Sequence, residues 1–363
     1  MSFAAQAIVH RQALRQNVAR AREVASRSRI MAVVKANGYG HRLDIVANAL
    51  ADQVDGFAVA RLDEALTVRQ SGWDQRVLLL EGFLDARELE AIRDDDLDIV
   101  VHHVSQIEAL ERYAQRHPRT RLSVWLKIET GMHRLGFPAE DAPMARRRLQ
   151  SLSIVRQPIR VMSHLACADE PQRPEFTQQQ LARWKALGLD AHHEVSLANS
   201  AAVLAWPDTH RDWVRPGMML FGVSPFAERC GADLGLAPAM TLETRLIAVN
   251  PARKGETVGY GATYTVPEDM PLGVAAIGYG DGYPRHAPNG TPVWLNGHCV
   301  ALVGRVSMDL ITLDLRQVPD AKPGDRVVLW GPELPVETVA ECAGTIGYEL
   351  VTRLAPRVQV VEK

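Results

Sequence analysis

No stretch of this 363-residue chain approaches 18 unbroken apolar residues, so nothing in it reads as a membrane-spanning helix. An excess of one charge is missing too: 41 Lys and Arg stand against 43 Asp and Glu, a net charge of −2. That balance removes the usual electrostatic case for nucleic acid or an anionic membrane as the main partner. Cysteine is scarce and scattered. Cys167, Cys230, Cys299 and Cys342 make no CxxC pair, and no HExxH is present, so no metal site is expected. Four isolated thiols fit a reducing cytoplasm, and each is expected to be a small buried residue. The opening MSFAAQAIVHRQALRQ lacks the basic start and apolar core of an export signal, which also points to the cytoplasm.

What is present is an alternation. Apolar runs fall at 30–34, 57–60, 77–80, 97–101, 122–128, 159–162, 193–197 and 213–215. Between them lie stretches of helical spacing or composition, at 43–52, 62–71, 85–94, 105–116, 142–151, 175–187 and 200–205. Eight strands alternating with helices argue for a closed parallel (β/α)8 barrel of the TIM type. After about residue 236 the texture changes to short Val-, Thr- and Leu-rich runs separated by turn sequences such as PARKGE, LNGH and KPGD. This second part, 237–363, reads as a mainly-β domain following a barrel of residues 1–236. One short helix is expected at 336–343 and a last strand at 357–361.

In such a barrel the chemistry gathers where strands end. Strand one ends at Lys35, strand five leads to Lys127, His133 and Arg134, and strand six to His164. Strand seven leads to Asn199 and Ser200, and strand eight to Arg215, Pro216 and Gly217. A single Lys or His in such a place is usually solvent-directed or structural. Several on one rim are costly unless a ligand satisfies them. Ser200 at a helix start can cap the helix or touch a phosphate, and Gly217 leaves its backbone N–H open to an anion. A lone Lys at the mouth and a phosphate site together suit pyridoxal phosphate, with Arg215 the candidate partner of its ring nitrogen.

The chain resembles the bacterial alanine racemases. AVVKANGYGH, LKIETGMHRLGF, MSHLA, LANSAA, WVRPGMMLFG, VGYGATY, GYGDGYPR, VSMD and GTIGYEL stand in that family's order and spacing over nearly the whole chain. MTLE, GYPRHAP and GTIGYEL resemble its catabolic branch. The resemblance implies interconversion of L- and D-alanine on pyridoxal 5′-phosphate by a homodimer with shared active sites. It implies that Lys35 carries the cofactor and is one base, and that Tyr260 of the partner subunit is the other. It implies a phosphate cradle of Tyr39, Ser200, Gly217, Met218 and Tyr348, with Asn199 beside it. Arg215 would meet the ring nitrogen, with His164 bridging Arg215 to the phenol. Arg134 and the backbone of Met308 from the other subunit would hold the substrate carboxylate, and Tyr279 would stand at the inner mouth. Lys127 matches a lysine that is carbamylated in many members; the plainer reading pairs it with Glu129.

Two bases are needed because racemisation removes a proton from one face of Cα and returns one to the other. An amine and a phenol, with reference values near ~10.4 and ~10, ionise at neutral pH only with help from neighbouring cations. The chain departs from the family pattern at Gly38, where Ala is usual, and at Arg42, where Gly is usual. Gly38 loosens the backbone beside Lys35, and Arg42 adds bulk and charge near the phosphate end. Other readings fit less well. A non-catalytic carrier on the same barrel lacks the second domain, and a decarboxylase of this fold pairs the ring nitrogen with an acid where Arg215 stands.

Overall fold

The computed structural model describes residues 5–363. Two compact units emerge. One comprises Val18–Gly38 and Val46–Leu220; the other comprises the described residues through Asn17, Tyr39–Ile45 and Phe221–Lys363.

The first unit is the closed barrel. Counting strand β1 (Ala5–Val9) in chain order, its staves are β2 (Arg29–Val33), β3 (Gly56–Val59), β4 (Val77–Leu79), β5 (Asp98–Val101), β6 (Ser123–Lys127), β7 (Arg160–Met162), β8 (Val195–Ser196) and β9 (Trp213–Val214). Every pairing is parallel, and β9 closes on β2 through Arg29 opposite Trp213. Phe57, Leu78, Leu79, Ile99, Val100 and Leu126 are fully buried, as near-continuous apolar runs in a sheet covered on both faces should be.

The helices are α1 (Arg11–Val24), α2 (Leu43–Leu50), α3 (Leu62–Gln70), α4 (Glu88–Asp94), α5 (Val104–Arg116), α6 (Ala142–Ser151), α7 (Pro174–Ala186) and α8 (Ser200–Ala205). Each expected barrel helix is present within a few residues of its expected bounds. The exception is a segment the periodicity did not reveal: β1 and α1 precede the first stave.

The second unit is built on an eight-stranded sheet. Long β10 (Met240–Ala252) pairs with β1, with β17 (Arg326–Trp330) and with β13 (Met270–Ala275), all antiparallel. β18 (Gln359–Glu362) adds in parallel to β1, so both ends of the chain share one sheet. β14 (Pro292–Leu295) and β15 (His298–Ala301) form a hairpin across Asn296 and Gly297, at φ 47° and 88°. That is the positive-φ pair a two-residue turn demands, and it is why LNGH reads as a turn. β16 (Ile311–Asp314) pairs with β13, and β11 (Thr257–Val258) with β12 (Tyr264–Thr265). Two short helices, α9 (Val336–Cys342) and α10 (Gly347–Thr352), complete it.

One expectation fails. None of the four thiols is buried: Cys299 and Cys342 are exposed, Cys167 and Cys230 partly so, and all are free. Cys299 lies on the open face of a sheet-edge hairpin, and Cys342 on the outer side of the end of α9. These positions tolerate a small side chain without needing it for packing. No helix among the described residues is long and apolar enough to cross a membrane.

Candidate active site

The C-terminal rim of the barrel begins with an unusual piece of backbone. Directly after Lys35, residues Ala36, Asn37, Gly38 and Tyr39 take φ of 54°, 54°, 64° and 50°. A left-handed run costs a side-chain-bearing residue about 1–2 kcal/mol at each position. Three of these four bear a Cβ, and such strain persists only where the surroundings hold it. Gly38 therefore does more than loosen the loop, because it spares one of those costs. The Ala36 N–H donates to Glu64 Oε1 at 2.6 Å, and the Gly38 N–H donates to the Val34 carbonyl at 2.9 Å. The Lys35 side chain, half-buried, has its amine lowered from the usual range, first by burial and then by the charge of Arg134.

Lys127, the last residue of β6, is buried, with its amine lowered to about 8 by burial and by the charges of Arg215, Arg134 and Lys35. It does not pair with Glu129. That carboxylate is spent on the Gly131 N–H and, at 2.7 Å, the His133 N–H, which shapes the loop leading to Arg134. Arg215 follows β9 and is almost fully buried. Its guanidinium donates to Ser196 Oγ at 2.5 Å, to the Ser163 carbonyl at 2.7 Å and to the Leu197 carbonyl at 3.4 Å, and stands 3.3 Å from His164 Nδ1. No carboxylate touches it among the described residues, and its Nε–H has no protein partner there. Burial alone brings it down to about 10, so it remains a cation at neutral pH. Burial, then Arg215, Lys127, Arg134 and Lys35, hold His164 well below the usual imidazole range, and it is neutral. A neutral ring can accept from Arg215 at Nδ1.

Ser200 is placed differently from the expected cap. Asn199 caps α8, its side chain accepting the Ala202 N–H at 3.0 Å and donating to the Leu165 carbonyl at 3.2 Å. Ser200 Oγ instead accepts the Gly217 N–H at 2.8 Å and the Met219 N–H at 3.4 Å. The Gly217 amide is thus bonded within the protein, while the Ser200 hydroxyl keeps its own proton to donate. Met218 opens the short 3-10 turn Met218–Phe221 and is buried.

Behind this rim runs a network of neutral side chains that sequence reasoning missed. Gln180 of α7, 3% exposed, donates to Thr130 Oγ1 at 3.2 Å and to the His164 carbonyl at 2.9 Å, and accepts the Ala166 N–H at 2.8 Å. Thr130 Oγ1 lies 2.8 Å from Ser163 Oγ, which donates to the Ile128 carbonyl at 2.8 Å. The loops carrying Lys127, Arg134 and His164 are therefore locked together. The signal was available: Thr177, Gln180 and Trp184 occupy the buried face of α7 at helical spacing, and a glutamine there needs partners.

In the second unit, Tyr39 is buried against Phe221, ring centroids 4.9 Å apart, and lies 6.4 Å from Tyr348. Gly40 makes this possible, since a Cβ there would sit 1.9 Å from the Val351 carbonyl oxygen. Tyr279 and Met308 are also brought together. The Tyr279 N–H donates to the Ser307 carbonyl at 3.0 Å and the Gly280 N–H to the Met308 carbonyl at 2.8 Å. Arg357 bridges Asp281 and Asp309 at 2.7 and 2.8 Å. Tyr260 stands apart on the hairpin between β11 and β12, flanked by Gly259 and Gly261 at φ 72° and 74°, and is 72% exposed. Arg42 turns to Asp44, with an ion pair of 2.5 Å at the surface.

A lysine at the mouth of the first stave, beside a buried Lys127 and Arg215 that no carboxylate bonds among the described residues, suits an enzyme that takes an anionic ligand. The comparisons narrow that class. The family model "Alanine racemase, N-terminal domain" matches residues 9–225, and "Alanine racemase, C-terminal domain" matches 239–362. The chain is 54% identical over 355 residues to the alanine racemase of Shewanella amazonensis and 53% identical over 348 residues to that of Shewanella baltica, covering 96% of each partner. Among solved structures it matches the biosynthetic alanine racemase of Pseudomonas aeruginosa with TM-score 0.94 at 44% identity, and the alanine racemase of Acinetobacter baumannii with TM-score 0.91 at 37%. Both matches cover 100% of each chain. The chain belongs to the alanine racemase family.

Proposed function

We propose that this protein interconverts L- and D-alanine, with pyridoxal 5′-phosphate held at the barrel mouth and bases on both faces of Cα. One observation carries the reading: Lys35, Lys127, Arg134 and Arg215 surround a neutral His164, and none of the four cations makes an ion pair among the described residues. A cofactor phosphate and a substrate carboxylate bring the missing negative charge. The residues fit the cofactor. Lys35 is an amine eased toward its neutral, nucleophilic form, Arg215 keeps one N–H for a ring nitrogen, and Ser200 keeps its O–H for a phosphate oxygen. Tyr39, Asn199, Gly217, Met218 and Tyr348 complete this set by their match to the family motifs.

Held by Lys35, Arg215 and Ser200, pyridoxal phosphate would supply an electron sink that acidifies the Cα–H of alanine. Lys35 takes or returns the proton on one face. The phenol of Tyr260 of the partner subunit serves the other; its exposure in the single chain, together with exposed Met308 and Tyr279, supports a homodimer whose sites are shared. Arg215 donates a hydrogen bond without giving up its proton, which keeps the electron sink weak and the return of the proton to Cα fast. His164 accepts from Arg215 and links it to the phenol. Arg134 and the partner's Met308 backbone receive the substrate carboxylate, while Tyr279 limits side-chain size. Lys127, with an amine near 8, is open to carbon dioxide; the resulting carbamate anion would orient Arg134. In this reading residues 1–236 hold the cofactor, residues 237–363 complete the partner's site, and the enzyme works in the cytoplasm. Incubating the purified protein with L-alanine and quantifying D-alanine by chiral chromatography tests it. Conversion by wild type and none by Lys35→Ala is expected; no conversion with added cofactor, or full activity in the variant, overturns it.

A further inference from the structure

We propose that Glu64 is a positioning residue for Lys35: its carboxylate pins the left-handed turn that follows the lysine and fixes where the amine stands on the rim. The inference deepens the proposed reaction and rests on Lys35 being a base in it. Glu64 is the third residue of α3, a place where an acid ordinarily just caps a helix. Here it does more. Oε2 accepts the Ala60 N–H at 2.9 Å and the Arg61 N–H at 3.3 Å, while Oε1 reaches across to the Ala36 N–H at 2.6 Å. One carboxylate thus ties the loop after β2 to the loop after β3, and its shortest bond lands on the residue next to Lys35. The turn it holds is left-handed from Ala36 to Tyr39, a conformation that three of its four residues adopt only under restraint. Within that turn the Gly38 N–H also donates to the Val34 carbonyl. Releasing Ala36 would let Lys35 swing, and a displacement of about 1 Å at a reacting group is enough to cost catalysis heavily.

Glu64 also carries charge. Burial and Arg134 lower the Lys35 amine, whereas Glu81 and Glu64 oppose them. Glu81 is the natural comparator, because it shares the electrostatic effect without touching the Ala36 amide.

The test uses holoenzyme of wild type, Glu64→Gln, Glu64→Asp and Glu81→Gln. It reads kcat and KM separately, the pH profile of kcat, and the visible circular dichroism of the bound cofactor, which reports ring orientation rather than turnover. Glu64→Gln is expected to lower kcat about tenfold or more with a smaller change in KM, to alter the dichroic band, and to move the limb of the profile set by Lys35 to lower pH. Glu64→Asp keeps the charge but is too short to reach Ala36, so it should lose kcat with little movement of that limb. Glu81→Gln should move the limb while sparing kcat and the band. Wild-type kcat, band and profile in Glu64→Gln would overturn the proposal, as would full reproduction of its effects by Glu81→Gln. If wild type converts alanine and Lys35→Ala does not, such a result counts against Glu64 alone. If wild type does not convert alanine, the reading of the site has failed first.

Discussion

The two ends of the barrel are built on opposite electrostatic plans. At the N-terminal ends of the strands the carboxylates of Glu194 and Asp98 are paired with arginines. Glu194 receives Arg29 at 2.7 Å and Arg160 at 2.6 Å, the Trp213 indole N–H donates to it at 3.2 Å, and the Arg29 guanidinium stacks 4.3 Å over the Trp213 ring. Asp98 pairs with Arg76 and accepts the Trp125 indole N–H at 2.6 Å. Burial pushes the Glu194 carboxyl up, but hydrogen bonds from Arg29, Arg160 and Trp213 outweigh it and bring the carboxyl down to about 2. At the C-terminal ends the cations Lys35, Lys127 and Arg215 have neutral partners or none. One end satisfies itself and holds the barrel shut. The other is left unbalanced, and an unbalanced buried charge is a demand for a ligand.

The comparison breaks most visibly in activity. Replacing Lys35 with Ala should reduce alanine conversion by on the order of 10³-fold or more while leaving the thermal midpoint nearly unchanged, because the rim does not hold the fold. Stopped assays and a melting curve on the same preparation check both halves.

Lys127 gives the next largest effect. Its amine is near 8 when folded and near ~10.4 when unfolded, so between those values the unfolded chain binds more protons. Stability of the cofactor-free protein should therefore rise as pH climbs through that window, by about 2–3 kcal/mol. Urea unfolding of wild type and Lys127→Met at neutral and alkaline pH tests this, and the variant should show a flatter rise.

Glu194 predicts the opposite slope at the other end. Its depressed carboxyl contributes stability that is complete above the unfolded value near ~4.3 and is lost as pH falls toward 2. Glu194→Gln should cost about 1–2 kcal/mol at neutral pH after solvent screening, remove that acid dependence, and keep wild-type turnover. Urea melts with parallel rate assays would show a contradiction if turnover fell while stability held. The smallest effect is expected at Gly38: Ala in its place meets φ 64° and should cost about 1 kcal/mol, readable as a small drop in midpoint.

Much of this was legible in the chain. The eight staves could be read because their residues are buried on both faces and form unbroken apolar runs, and the LNGH turn because its backbone needs positive φ. Lys35, His164 and Arg215 stood out because charged groups directly follow such runs. Strand β1 did not, because its burial alternates over five residues and its partners β10 and β18 lie more than 200 residues away in sequence. The anchors Gln180, Ser163 and Glu64 were hidden for another reason. Their bonds go largely to backbone groups of other loops, and a backbone N–H or carbonyl leaves no mark in sequence. Ser200 was half-read: its place at a helix start was clear, but not that Asn199 takes the cap and frees its oxygen for the Gly217 amide.

The central claim, that the unpaired end of the barrel holds a B6 cofactor on Lys35, is tested most directly by borohydride reduction of the purified protein followed by peptide mass mapping. The account predicts a stable phosphopyridoxyl adduct on the peptide containing Lys35 and on no other. An adduct at Lys127 or elsewhere, or none after incubation with the cofactor, would contradict it.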